Sequence, residues 1–303
     1  MDKIDIIDFS DWHIIDGFSE GSGRSEKQWL QSPDGTIGLF KWPKINSDNV
    51  HTSYEHISEH LAYQLGLLLN IPTARIDIGY YNGRIGSLSY QINKPNEELC
   101  EGIAFILEKH PNYDPNKLYD PDTHKYYSIE HIIETGETSE IKDYLVDMMF
   151  FDYLIGNSDR HQNNWAFLKV TAPENIHSRR LCPLYDNGSS LCCYVDDNEI
   201  KELLGNDRLR IEALINTKSR SLIRIDPMRK KLPLHSEIVE YLLENFEHSV
   251  EIAYRITACV TKSAIDEILN VYPDEVLPYQ RKRLISVYLS GKVNLLGKIR
   301  GGI

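Results

Sequence analysis

The hydrophobic period of this chain changes once, and that change constrains its fold more than any single residue does. Up to residue 92 the apolar residues fall in short alternating runs broken by turn formers; beyond Lys94-Pro95-Asn96 they recur every three or four positions over long stretches. Residues 28–42 (QWLQSPDGTIGLFKW) hold two apolar runs around Pro33-Asp34-Gly35, which predicts a hairpin. Between Thr52 and Leu69, Ile57, Leu61, Leu65 and Leu68 share one helical face, and Pro72 ends the pattern. Residues 73–79 (TARIDIG) and 84–92 (RIGSLSYQI) read as a second strand pair turning at Asn82-Gly83. Residues 139–155 (SEIKDYLVDMMFFDYLI) and much of 236–290 are helical in pattern, while 109–127, with three prolines, is expected to be an irregular surface excursion. The expected class is α+β: a small β-rich lobe over residues 1–93, a crossover near 92–97, and a larger, mainly helical lobe over 94–303. A cleft between two lobes is a frequent place for a ligand pocket.

Charge and cysteine usage narrow the function classes. The 33 basic and 45 acidic residues give a net charge of -12, which repels a phosphate backbone, so direct nucleic-acid binding is not expected. The acidic amino terminus lacks a cationic leader region, and no window reaches the roughly 18 apolar residues of a span, so a cytoplasmic protein without membrane contact is expected. Five scattered cysteines predict buried or free thiols, and adjacent Cys192-Cys193 is a poor disulfide pair. The run Arg220 to Lys231, a local excess of positive charge, reads as a solvated face, with a substrate or partner site as the alternative, and the tyrosines from Tyr113 to Tyr127 as surface or half-buried rings, with a partner surface as the alternative.

The densest cluster of functional groups, Gly156-Asn157-Ser158-Asp159-Arg160-His161-Gln162-Asn163-Asn164-Trp165, directly follows the most apolar helical pattern. Polar groups beside a core helix need partners or a function. Further on, Pro183-Leu184-Tyr185-Asp186-Asn187-Gly188 places another Asp before a glycine turn, and a hairpin over the interval 165–186 folds Asp186 back toward Asp159 and Asn164. An Asp, an Asn five residues later and a further Asp beyond a hairpin divide the labour as in protein-kinase sites. One Asp orients the attacking hydroxyl, while the Asn and the second Asp hold magnesium on the nucleotide phosphates. His161 would brace the loop or touch a phosphate. A loop of turn formers with a structural role only is the alternative.

Gly156-Asn157-x-Asp159-x-His161-x-x-Asn164-Trp165, followed by Leu184-Tyr185-Asp186-Asn187-Gly188, resembles the HipA-like serine/threonine kinases, relatives of the phosphatidylinositol 3/4-kinase-like fold. The resemblance implies a two-lobed protein-kinase-like fold, Asp159 as catalytic base, Asn164 and Asp186 as magnesium ligands, and His161 and Tyr185 beside the nucleotide. Lys41, a single cation in the apolar strand Gly38-Leu39-Phe40-Lys41-Trp42-Pro43, is costly there unless paired, and the resemblance makes it the phosphate-binding lysine. An edge-strand lysine reaching solvent is the alternative. Glu55 in YEHISEHLAYQLG matches the family's helix glutamate, seven residues before Ala62, and is the expected partner of Lys41; Glu59, one turn later, competes.

The segment from Asp16 to Lys27 lacks a Walker Gly-Lys-Ser/Thr end and a full Gly-x-Gly-x-x-Gly, yet resembles the family's nucleotide loop. The resemblance places Ser22 and Gly23 against the nucleotide phosphates and makes Ser19, Ser22 and Ser25 candidates for regulatory autophosphorylation, which would add roughly two negative charges there. Adenine is expected against the crossover strand from Ser89 to Ile92, with Ser89 and Tyr90 offering mainly backbone groups. The expectation is an ATP- and Mg2+-dependent serine/threonine kinase, autophosphorylating and toxin-related, acting on a protein with a Ser/Thr acceptor and partnered by an antitoxin or regulatory protein. The family's better known toxins carry an extra amino-terminal domain for which this chain is expected to have no room, which counts against toxin activity and against the usual antitoxin contacts. A lipid or small-molecule kinase is a rival that the acidic charge disfavours. A metal-dependent hydrolase using Asp159, His161 and Asp186 lacks a second histidine cluster. The intact motif disfavours a nucleotide-binding regulatory pseudokinase.

Overall fold

The computed structural model describes residues 3–16, 26–45, 52–171, 177–205 and 208–302. Its amino-terminal part is a six-stranded sheet in the order β1-β5-β6-β4-β3-β2, built from β1 (Ile7–Asp8), β2 (His13–Ile14), β3 (Lys27–Gln31), β4 (Ile37–Lys41), β5 (Ile76–Tyr81) and β6 (Arg84–Tyr90). Helix α1 (Glu55–Leu69) lies between β4 and β5 in sequence and covers one face. Both predicted hairpins form. The β5–β6 turn closes on Asn82 at φ 52° and Gly83 at φ 73°, the left-handed pair that a two-residue type I′ hairpin requires.

The register divides the sheet's faces. Lys41 is opposite Ser87 and Leu39 opposite Ser89, while Phe40 is opposite Leu88 and Gly38 opposite Tyr90. Because strand side chains alternate, Phe40 and Leu88 join Phe9, Leu30, Trp42 and Tyr81 in a core on the side away from α1. Lys41, Ser87, Ser89 and Ile78 face α1.

Beyond β6 the chain forms β7 (Glu97–Glu101), α2 (Gly102–Lys109), a short ladder of β8 (Tyr119–Asp120) with β9 (Lys125–Tyr126), α3 (Ile129–Ile133) and α4 (Ser139–Ile155). The stretch expected to be irregular thus carries a two-stranded pairing, with Asp120 buried and accepting from His110 and Thr123. Helix α4 is capped by the Thr138 hydroxyl and is the central helix of this part, with Tyr144, Leu145, Val146 and Met148 to Ile155 buried. The β10 (Ala166–Thr171) and β11 (His177–Leu181) hairpin follows, and β10 pairs on its other side with β7, a strand the hydrophobic pattern does not announce. Helices α5 (Asp197–Leu203), α6 (Arg208–Ile215), α7 (His235–Asn245), α8 (His248–Cys259), α9 (Lys262–Asn270) and α10 (Tyr279–Gly302) complete the fold, with α7, α8 and α10 packed on α4. The class is α+β, as expected. All five cysteines are free thiols, and among the described residues no helix is long and apolar enough to cross a membrane.

Candidate active site

Helix α4 ends where Gly156 turns left-handed at φ 68° and hands the chain to the loop 157–165. A Cβ at Gly156 would lie 2.0 Å from the Tyr288 phenol oxygen, so this turn requires glycine twice over. Inside the turn, Arg160 and Asp152 form an ion pair at 2.8 Å with side chains 1% and 2% exposed. Burial pushes the Asp152 carboxyl up, and the Arg160 guanidinium opposes that rise. One guanidinium nitrogen, Nη1, donates to the carbonyls of both Asn164 and Tyr185, and Nη2 donates to Asn187 Oδ1 at 2.7 Å. A single buried side chain therefore clamps the Asp159–Asn164 loop to the loop carrying Asp186. Sequence reading passed over Arg160; its signal was a basic residue eight positions after Asp152, the acid within the otherwise apolar run from Met148 to Ile155.

Within the loop, the Asp159 amide donates to Asn157 Oδ1 at 3.0 Å and its carbonyl accepts from Asn164 Nδ2 at 2.8 Å. Both bonds use backbone atoms of Asp159, so its carboxylate stays free to accept. Partial desolvation raises that carboxyl, and the nearby Asp186 charge adds to the rise against His161 and Arg160. With Nδ2 engaged, Asn164 Oδ1 accepts no hydrogen bond among the described residues. His161 Nδ1 accepts from the Asn163 amide at 3.2 Å, and the Tyr185 hydroxyl donates to the Asn163 carbonyl at 2.8 Å, so both brace the loop.

Lys41 is the junction between the sheet and these loops. Its Nζ lies 2.8 Å from Asp186 Oδ1 and 3.1 Å from Glu59 Oε1. Burial alone would lower the ammonium pKa; Asp186 and Glu59 outweigh it and raise it. In return Lys41 holds the Asp186 carboxyl below the usual range. Glu59 Oε2 also accepts from the Asn187 amide at 3.0 Å, and Leu184 is bonded to the strand-like segment at Pro72 and Ala74, so the Asp186 loop is tied to the amino-terminal part at several points. Asp186 itself is left-handed at φ 55°, a conformation that asparagine and aspartate tolerate better than most residues.

The pairing expected of Glu55 is corrected: the partner of Lys41 is Glu59. Helix α1 starts at Glu55, so this residue lies one turn before Glu59, at the helix start, where it accepts from Lys44 Nζ at 3.1 Å, Tyr194 hydroxyl at 2.6 Å and Ser53 hydroxyl at 2.8 Å. Ser89 shares the Lys41 face. The Tyr90 side chain does not: its hydroxyl donates to Asp77 at 2.7 Å under the Arg75 guanidinium, and its amide is bonded to the Arg75 carbonyl. Ser22 and Gly23, with Ser19 and Ser25, lie outside the described residues. An apolar patch that sequence reasoning missed, buried Ala166, Leu168 and Cys182 with partly buried Ile92 and Leu99, packs against Tyr185 beside the end of the crossover.

The arrangement separates two carboxyls by environment, one raised and open, one lowered and bound to a cation, the condition under which neighbouring acids take different chemical roles. Among the described residues no three His, Cys, Asp or Glu side chains converge on a metal position. What the site does offer is the unbonded Asn164 Oδ1 and the second oxygen of Asp186. That donor set suits magnesium, which keeps several waters and is bound through one or two protein oxygens plus substrate phosphate.

Residues 21–251 match the family model described as the HipA-like C-terminal domain. Among curated proteins, the serine/threonine-protein kinase CtkA of Helicobacter pylori is 25% identical over 243 residues, which cover 78% of this chain and 65% of that protein, slightly under two thirds of its length. The crystal structure of the Helicobacter pylori proinflammatory kinase CtkA superposes with a TM-score of 0.79 at 19% identity, covering 97% of this chain and 98% of that one. HipA of Shewanella oneidensis, solved as a complex with HipB and its operator DNA, superposes with a TM-score of 0.53 at 13% identity, covering 99% and 66%. At these identities the structural likeness shows a shared two-lobed kinase-like fold.

Proposed function

The chain belongs to the family of HipA-like C-terminal domains, and from that premise we propose that it is a serine/threonine protein kinase that uses ATP with Mg2+. The observation that carries this reading is Lys41 held between Glu59 and Asp186, with Arg160 joining the Asp186 loop to the Asp159–Asn164 loop. These are the parts a phosphoryl-transfer site needs, already assembled by contacts that do not depend on a ligand.

Asp159 accepts a hydrogen bond from the acceptor hydroxyl, aligns its oxygen and takes its proton as the oxygen–phosphorus bond forms and the bond from the γ-phosphorus to the bridging oxygen breaks, releasing ADP. Lys41 turns its ammonium toward the phosphate oxygens while Glu59 keeps the side chain in place. Asn164 Oδ1 and the free oxygen of Asp186 would hold magnesium, whose chemistry is to neutralise charge on the phosphates. The patch around Ile92, Leu168 and Tyr185 offers an apolar surface to the adenine, and Ser19, Ser22 and Ser25 are our candidates for autophosphorylation. A regulatory protein partner is supported by the HipA–HipB complex. Operator DNA is part of that complex, so the expectation of no nucleic acid is confined to direct nonspecific binding by this acidic chain.

The test is incubation of the purified chain with ATP and magnesium, read by intact mass and bound nucleotide beside Asp186→Asn. A phosphate adduct on wild type alone is expected, with peptide mapping to locate it. Nucleotide binding without transfer to itself or to a lysate protein would instead indicate a regulatory module, and no magnesium-dependent ATP binding would overturn the reading.

Two outcomes follow from the electrostatics. Glu59→Gln should slow transfer by about 10- to 100-fold because the Lys41 clamp loses an anion, whereas Glu55→Gln should change it by less than about threefold; single-turnover kinetics of both variants decide. The rate should also fall with acidity as Asp159 protonates, with a midpoint above the ordinary aspartate value of about 3.9. Asp186, lowered by Lys41, stays ionised through that window, so magnesium-ATP affinity should persist at pH values where transfer is already lost.

A further inference from the structure

Behind the catalytic loop, three polar side chains from separate segments form a continuous buried chain. Lys292 of α10 is 1% exposed, and its Nζ donates to Ser219 Oγ at 2.8 Å. Ser219 Oγ lies 3.0 Å from His235 Nδ1, and His235 Nε2 lies 2.9 Å from the Asn157 carbonyl oxygen. A carbonyl can only accept, so Nε2 carries the imidazole proton and Nδ1 is left as a lone pair. Ser219 must then donate to Nδ1, and its oxygen accepts from Lys292. With Lys292 protonated, the donors run in one direction from helix α10 to the loop, and the Tyr288 phenol lies against the same Ser219 hydroxyl. Burial, with Lys292 nearby, draws His235 down to about 3, which keeps the neutral tautomer this order needs.

The end point is Asn157, and Asn157 sets Asp159. Its amide donates to the Asp152 carbonyl at 3.0 Å, its Nδ2 to Asp152 Oδ1 at 3.2 Å, and its Oδ1 accepts from the Asp159 amide at 3.0 Å. One turn before Lys292 on the same helix face, Tyr288 fills the space a side chain at Gly156 would need. Lys292 has ring contacts with Tyr153 and Tyr288 and, among the described residues, no carboxylate partner, and burial draws it down to about 7. A buried ammonium without an anion is destabilising, and an apolar side chain of similar length would remove that penalty. Its one side-chain hydrogen bond leads to the loop.

We propose that Lys292, Ser219 and His235 are positioning residues that lock the Asn157 peptide, and through it the conformation of the Asp159 loop, for phosphoryl transfer. The consequence for rate rests on the kinase reading; the consequence for the loop does not, and the experiment separates them. Amide exchange at Asp159, the magnesium-ATP dissociation constant and the single-turnover transfer rate are measured for wild type, Ser219→Ala, Ser219→Thr and Lys292→Met. Ser219→Ala should speed exchange at Asp159 by about tenfold or more and slow transfer by about 10- to 100-fold, with nucleotide affinity within about twofold of wild type. Ser219→Thr keeps the hydroxyl and should restore both. Lys292→Met should raise the unfolding midpoint while slowing transfer, a split that a purely structural lysine would not give. Wild-type exchange in Ser219→Ala overturns the proposal, as does a rate loss that Thr does not restore and that tracks a lowered midpoint. If wild type transfers no phosphate, the kinase reading fails, and exchange at Asp159 still decides whether the relay holds the loop.

Discussion

Asp159→Asn is expected to lower phosphate transfer by roughly 10³-fold or more while leaving magnesium-ATP binding within about threefold of wild type. The structure makes this a clean substitution. The contacts that shape the loop use the Asp159 amide and carbonyl, to Asn157 Oδ1 and from Asn164 Nδ2, and the carboxylate makes none of them. Asparagine preserves shape and volume, so the loop and the unfolding midpoint should be unchanged. What is lost is the acceptor for the hydroxyl proton and an anion that orients the attacking oxygen. Single-turnover transfer beside equilibrium nucleotide binding checks both halves. Undiminished transfer would mean that the proton goes elsewhere and that Asp159 is a loop residue only. The acid limb of the rate profile should also vanish in this variant, because the group that titrates there is gone.

How much of this was legible before the structure depends on whether a residue's role is local. The β3–β4 and β5–β6 hairpins are written in adjacent residues, an alternating pattern and a Pro-Asp-Gly or Asn-Gly turn, and both form as expected. Strand β7 is written as EELCE, with charge on both faces; its identity comes from pairing with β10 and from Arg180, which meets Glu97 at 2.6 Å. Glu55 and Glu59 differ by one turn of one helix. Which of them meets Lys41 depends on where α1 begins and how it lies on the sheet, and no sequence pattern carries that. The relay is less legible still, because residues 219, 235 and 292 become neighbours only when the helices following the hairpin close on α4. The motif residues Asp159, Asn164 and Asp186 stood out because their spacing encodes chemistry, whereas the residue that binds the two loops together occupies a motif position read as variable.

That residue gives the largest expected effect on stability. Arg160→Met should cost about 3–5 kcal/mol, because it leaves the Asp152 carboxylate buried without its cation and takes a donor from the Asn164 and Tyr185 carbonyls and from Asn187. An exposed pair sets the contrast: removing Lys44, which meets Glu55 near the surface, should cost no more than about 1 kcal/mol. Arg160→Lys should recover little, since an ammonium cannot reproduce the fork that reaches a carboxylate, two carbonyls and an amide at once. Adding Asp152→Asn to Arg160→Met removes the unpaired charge, so the double variant should be more stable than the single one in urea unfolding. It should still transfer phosphate poorly, because neutralising Asp152 does nothing to rejoin the Asn164 loop to the Asp186 loop. Stability recovered without activity would locate the function of Arg160 in the clamp between loops; activity recovered with stability would place it in the fold alone.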